Sequence, residues 1–165
     1  MFTRLLDRCF TCEEINGHGR CPTYLYRWTL FQPKRPRAIW RGFGIYLHKF
    51  VGDDWSHDLH DHPKRFISIG LRGGYCEVTP MLGVDADAWW MVSHTVYLAP
   101  WIRTFPANHI HRIVLLHHRK PCWTLVIVLR TVRQWGFWHQ GNWIHWKEYV
   151  NGSASHVADK MKACP

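Results

Sequence analysis

From Tyr24 onward the chain is written in short apolar runs of strand length, cut every few residues by Gly, Pro, Asp or Asn. This punctuation constrains the fold more than any other feature, because no run is long enough and helically periodic enough to build a helical bundle. The spacing predicts strands over residues 24–31, 44–51, 65–71, 75–79, 89–91, 95–98, 111–116, 123–129 and 143–149. Several alternate in and out, as in "RFISIGLRG" and "WIHWKEYV". "RGGY", Arg72 to Tyr75, reads as a Gly-Gly hairpin turn between two of them. A short helix is expected between Phe2 and Ile15. Strands at this spacing without intervening helices imply an antiparallel sandwich or barrel. The 165 residues fit one domain with one core.

Composition narrows the class. Hydrophobic residues make up 47 % and charged residues 20 %, a balance that folds. The 11 tryptophans suit a β-rich core or an aromatic-lined pocket. A formal charge of +9 favours anionic partners without choosing among nucleic acid, nucleotides and phosphorylated sugars. No stretch of 18 apolar residues occurs, so no membrane helix is expected, and "MFTRLLDRCF" lacks the apolar core of a signal peptide. Six cysteines without an export signal point to reduced thiols and a cytoplasmic protein. Walker, Rossmann and Gly-x-Ser-x-Gly signatures are absent, which leaves nucleotide hydrolysis by those routes and serine hydrolase chemistry without support.

Two histidine clusters carry the chemistry. "SHDLHDHPKRF" packs His57, Asp58, His60, Asp61 and His62 into six residues. On a strand, residues two apart share a face, so His60 and His62 can converge on one point. About 50 residues later "FPANHIHRIVL" repeats the spacing with His109 and His111. Imidazoles around an open position suit Fe, Mn, Ni, Cu or Zn. Asp58 or Asp61 is expected to supply a carboxylate or to orient an imidazole, with His57 just outside the ligand set. The alternative is a polar loop in a chain that holds 13 histidines.

These residues resemble the two metal-binding motifs of the cupin superfamily, a small jelly-roll barrel. His60, His62 and the turn Gly73–Gly74 match the first motif; Pro106, Asn108 (in place of glycine) and His111 match the second. The likeness covers roughly residues 42–132. Phe66 or Ile67 stands where the metal-binding Glu would be, Leu115 where an Asn is common, and Asp54 where a glycine precedes the first His. "HDHP", "LRGGY", "HR" and "WTLV" in this order are also similar to a cupin-like group that brings a fold but no settled activity.

The start of the chain offers a second metal site. Cys9-x2-Cys12-x5-His18-x2-Cys21 places three thiols and an imidazole within 13 residues, a donor set that suits structural zinc. The bland alternative is free cysteines on a mobile N-terminus. Cys76 and Cys122 sit in apolar runs and read as core. Lys34, Arg35, Arg37, Trp40 and Arg41 form a basic loop that either grips phosphates or is simply solvated.

The resemblance and the residues together give an all-β, single cupin-like jelly-roll barrel over residues 24–150. A short N-terminal extension, 1–23, precedes it, and a loosely held tail, 151–165, follows. The leading expected function is a metal-dependent enzyme acting on a small, anionic molecule, most plausibly a non-haem iron dioxygenase. His60, His62 and His111 would hold a divalent metal (Fe, Mn, Ni or Zn), and His57 or His109 would serve as a fourth ligand or an acid–base group. One alternative is a sugar or nucleotide-sugar isomerase or epimerase on the same barrel. The other is a non-catalytic nucleotide or nucleic-acid binding module, for which only weak nucleic-acid binding is expected. A homodimer stays open.

Overall fold

The computed structural model describes residues 2–16, 22–34, 41–81, 91–116 and 120–151. His18, Cys21, most of the basic loop, most of the strand expected at 89–91 and the tail from 152 lie outside these residues. After helix α1 (Phe2–Cys9) come β1 (Thr11–Asn16), β2 (Thr23–Phe31), β3 (Gly44–Phe50), β4 (Leu59–His60), β5 (Lys64–Arg72) and β6 (Gly74–Pro80). Next are β7 (Val92–Leu98), β8 (Trp101–Phe105), β9 (Arg112–Leu115), β10 (Cys122–Thr131), β11 (Gly136–His139), β12 (Asn142–His145) and α2 (Trp146–Val150). The result is an all-β jelly roll. One sheet has the order β1-β2-β3-β10-β5-β8, and two three-stranded sheets, β12-β11-β4 and β7-β6-β9, complete the fold. No described helix is long and apolar enough to cross a membrane.

The six-stranded sheet shows why period-2 patterning was informative. On β10, Thr124, Val126 and Val128 face the barrel cavity, and the register carries that face across the sheet: Arg27 opposite His48, His48 opposite Thr124, Thr124 opposite Gly70. The other face carries Trp28, which stacks on Trp123 with ring centroids 5.6 Å apart. The Trp28 indole N–H donates to Asp7 of α1 at 2.7 Å, which docks the N-terminal helix. Leu25, Phe50, Tyr75, Ile113, Leu115 and Cys122 form the main core, each buried side chain contributing about 1.5–3 kcal/mol if large and apolar. Phe137 and Tyr149, stacked at 4.0 Å, form a second cluster with Trp55, Trp135, Ile144 and Trp146.

Four local expectations change. The Gly73–Gly74 turn is not a hairpin: β5 and β6 belong to different sheets, and the bend carries the chain from one to the other. Gly73 has φ +80°, and a Cβ there would lie 2.6 Å from the carbonyl oxygen of Pro121. Residues 143–149 form not one strand but β12 followed by a helical turn, because Trp146 and Tyr149, three apart, both pack on the second cluster. His145 caps that turn, its ring nitrogen accepting from the Lys147 N–H at 3.3 Å. Thr11–Asn16, expected in a separate extension, pairs with β2 as an edge strand of the long sheet, with Glu13 and Glu14 toward solvent. Strands β8 and β11 were not anticipated, being short runs beside turn residues.

Candidate metal centre

The two histidine clusters meet through the backbone. His60 and His111 form an antiparallel bridge, each N–H donating to the other's carbonyl at 2.9 Å. His62 N donates to Ala107 O at 3.0 Å, one turn earlier in the second motif. The carboxylates of Asp53 and Asp54 extend the clasp by accepting from Leu115 N and Ile113 N, both at 2.7 Å. Asp54, standing where the cupin pattern has glycine, is therefore a structural fastener.

The ring nitrogens of His60, His62 and His111 converge: one ligand atom from each lies within 4.8 Å of the others. The Nε2 atoms of His62 and His111 are 2.7 Å apart. All three rings line a cavity of about 410 Å³ that they share with side chains of the long sheet and with Tyr75 and Ile113 of the β7-β6-β9 sheet. Burial, and after it the neighbouring His111 and His109, holds His60 down at about 3. Burial likewise, with His111, His60 and His109, holds His62 well below the ordinary imidazole range. Both rings are therefore neutral at physiological pH and offer lone pairs to an electrophile.

Glu77 fixes the third ring. Its carboxylate, buried on β6, accepts from His111 Nδ1 at 2.7 Å and His109 Nε2 at 3.0 Å through Oε1, and from Arg103 at 2.6 Å through Oε2. Burial alone would raise its pKa, but the bonds from His109, His111 and Arg103 outweigh it and hold the carboxyl well below the usual range. An ionised carboxylate only accepts, so His111 Nδ1 carries the proton that faces Glu77, and Nε2 is the ring atom turned toward His62. Sequence reasoning missed Glu77. The signal was a single acid in the apolar run "YCEVT", two residues from Tyr75 and on the same buried face.

The other acidic residues play different parts. Asp61, 1 % exposed, points away from the imidazoles and accepts from Gly136 N at 2.8 Å, Arg133 at 2.6 Å and the Trp143 indole at 3.1 Å. Asp58 accepts from the Tyr149 hydroxyl at 2.7 Å and pairs with His139 Nδ1 at 2.8 Å. Neither orients a ligand imidazole, contrary to expectation: strand alternation turns Asp61 outward, and Asp58 is drawn to the second aromatic cluster. His57 and His109, one of them expected as a fourth ligand or an acid–base group, do not line the cavity. His57 is exposed against Arg112 at 3.1 Å, and His109 faces Glu77. Phe66, at the position of the pattern's Glu, packs its ring 4.8 Å from His62 and stacks on Phe105 at 4.5 Å. Of the expected zinc ligands, Cys9 is exposed and Cys12 half-buried, and His18 and Cys21 lie outside the described residues.

No family profile and no curated protein matches the sequence. The fold, however, is similar to solved structures. The oxalate decarboxylase of Lactobacillus farciminis, as its formate complex, matches 96 % of this chain at 10 % identity with a TM-score of 0.57; the match spans 42 % of that chain. The polyketide cyclase RemF from Streptomyces resistomycificus matches 86 % of this chain and 87 % of its own at 15 % identity, TM-score 0.53. HppE in its Fe(II) form matches 72 % and 56 % at 8 % identity, TM-score 0.51. The chain is a cupin-fold protein. Within that class it carries a cluster of three histidines able to bind a metal, with an aromatic side chain where the motif's carboxylate stands.

Proposed function

We propose that the barrel is a metal-dependent enzyme acting on a small anionic molecule, with non-haem iron dioxygenase chemistry as its leading form. The convergence of His60, His62 and His111 on one cavity carries this reading. The donor set fits a divalent Fe, Mn, Ni or Zn: three nitrogens, two of them kept neutral by burial and the third aimed by Glu77. With Phe66 in place of a carboxylate, the ligands bring no negative charge, so a bound dication keeps its full attraction for an anion. When bound, the ion would supply Lewis acidity and open positions for substrate and O₂. The residues do the rest. His60, His62 and His111 set the donor geometry. Phe66, Phe105, Val126 and Val128 keep bulk water from that end of the cavity. The Fe(II) form of HppE and the formate complex of oxalate decarboxylase support metal and small-anion chemistry on such a barrel.

Metal analysis of the purified chain tests the proposal. Wild type is expected to carry one equivalent more transition metal than His60→Ala, His62→Ala or His111→Ala, and His57→Ala to match wild type. Equal metal in wild type and all three ligand variants would overturn it. Oxygen uptake by the iron-loaded protein over a panel of small carboxylates and phosphonates tests the dioxygenase form.

A further inference from the structure

The outer face of the long sheet carries side chains that the barrel chemistry does not use. The pairing registers place Glu14, Tyr26, Lys49, Trp123 and Arg72 in one cross-strand row over β1, β2, β3, β10 and β5. Trp123 lies between Cys122 and Thr124, both buried on the inner side, so the row faces outward. Beneath it the buried Trp28 stacks on Trp123 and, at 6.2 Å with planes 26° apart, on Tyr26, which makes an aromatic floor. The Lys49 ammonium stands between the two half-buried outer rings, 5.4 Å from the centre of Tyr26 and 5.7 Å from that of Trp123. From Tyr26 to Arg72, ring and cation thus alternate at intervals of one strand, about 4.8 Å.

The charge on this face is unbalanced. Lys49 meets only the two rings, and the exposed Arg72 pairs with no acid among the described residues. Lys120 is exposed at the same end of the sheet, where the carbonyl of the adjoining Pro121 borders Gly73. The acids lie toward the other side. Glu14 ends the row on the edge strand β1 and accepts from the Thr23 hydroxyl at 3.2 Å, and Asp7 accepts from the Trp28 indole. The chain as a whole carries a formal charge of +9, so an anionic partner is favoured wherever this face meets one. Packing accounts for Trp28, which docks α1; it does not call for cations set between and beside the two outer rings.

We propose that this row binds single-stranded nucleic acid, with bases against Tyr26 and Trp123 and phosphates on Lys49, Arg72 and Lys120. Aromatic rings on an open sheet face stack on any base, and cations between them take the backbone, which is how sheet surfaces hold single strands. Lys49 moves off the rings to a phosphate as a base takes its place over them. A duplex keeps its bases stacked inside and offers this face only phosphates. An anionic membrane would engage the same cations without a base for the rings. The row lies on the opposite side of the long sheet from the cavity, so it stands or falls apart from the metal centre.

The test is fluorescence anisotropy of labelled oligo(U) and oligo(dT) titrated with the full chain at low salt, beside a duplex of the same length. Saturable binding of the single strands is expected, about tenfold or more tighter than that of the duplex. Tighter oligo(U) identifies an RNA partner, and tighter oligo(dT) a DNA one. The log of the affinity should fall with the log of salt concentration by about 0.7 per phosphate neutralised, and Lys49→Gln and Arg72→Gln should each reduce that slope by about 0.7. Trp123→Leu should weaken binding about tenfold and leave the slope unchanged, the loss expected for one stacked base. Tyr26→Leu reads the same loss if urea melts show Trp123→Leu to be unfolded. Lys147→Gln removes a cation held 5.7 Å over the Trp146 ring, away from this face, and should bind as wild type does. No binding at low salt, equal affinity for duplex and single strand, or a folded Trp123→Leu that binds as wild type would overturn the site. Phosphatidylserine vesicles bound through Lys49 and Arg72, with no binding of either oligonucleotide, would assign the face to a membrane and overturn it as well.

Discussion

Replacing Glu77 by Gln keeps the side-chain volume and removes the charge. The carboxylate accepts three bonds, from His111 at 2.7 Å, His109 at 3.0 Å and Arg103 at 2.6 Å. An amide offers one acceptor atom and turns its NH₂ toward donors, so at least one bond becomes a donor–donor contact. Arg103 can turn toward water, being 19 % exposed, but the His111 side chain, 4 % exposed, cannot. Removing one partner of a buried charged pair costs about 3–5 kcal/mol. With the volume retained, about 3 kcal/mol is expected for Glu77→Gln in metal-free protein at pH 7, read by urea unfolding. The pH dependence has a definite sign. The folded carboxyl lies well below its ordinary value, so its stabilisation is complete above about pH 4.3, the unfolded value, and is lost as pH falls below it. The deficit of the variant should therefore shrink below about pH 4. Metal affinity should drop about 10–100-fold, since His111 loses the partner that sets its tautomer. Unchanged stability and metal affinity at pH 7 would refute the assignment of Glu77 as the group that aims His111.

The buried histidines give a second pH effect. Because His60 sits at about 3, the unfolded chain binds a proton between about pH 6.5 and 3 that the folded chain refuses, so ion-free stability should fall on acidification by up to about 1.4 kcal/mol per pH unit from this residue; His60→Gln should flatten the slope in urea titrations. Asp61→Ala strips the acceptor from Gly136 N, Arg133 and Trp143 and should destabilise by about 3–5 kcal/mol in denaturant melts. Gly73→Ala combines a positive φ with a clash on Pro121 and should cost about 2 kcal/mol or more by the same assay. A structural zinc on Cys9, Cys12, His18 and Cys21 predicts zinc that survives His60→Ala and disappears when Cys9 and Cys12 are both Ser; zinc unchanged in the double variant ends that idea.

Strand alternation made much of the long sheet legible, because β5 and β10 bury every second residue, Ser68 and Gly70 on one and Cys122, Thr124 and Val126 on the other. The i, i+2 histidine pairs were legible for the same reason. What the pattern hid is instructive. Gly73 reads identically whether a strand turns back on its partner or crosses to another sheet, since both require positive φ. The 143–149 segment alternates over too few residues to separate a strand from a helical turn. The spacing of the histidine motif points to Asp58 and Asp61 as the nearest carboxylates in sequence. The real partner, Glu77, arrives from β6, a strand that meets His111 only through β6–β9 pairing.

The His60–His111 clasp has a kinetic consequence. It joins segments about 50 residues apart, and that pairing requires β5 through β8 to be threaded between its two ends. Non-local closures of this kind pay loop entropy before any contact rewards them, which makes them slow steps in β proteins. An ion shared by His60, His62 and His111 would bind only after closure, so it would act as a latch on the last-made contact. By mass action it would stabilise the closed barrel by about 2.7 kcal/mol at a free concentration one hundred times its dissociation constant. Much of that stabilisation would appear as slower unfolding, since a contact absent from the transition state acts on the escape rate and not on the approach.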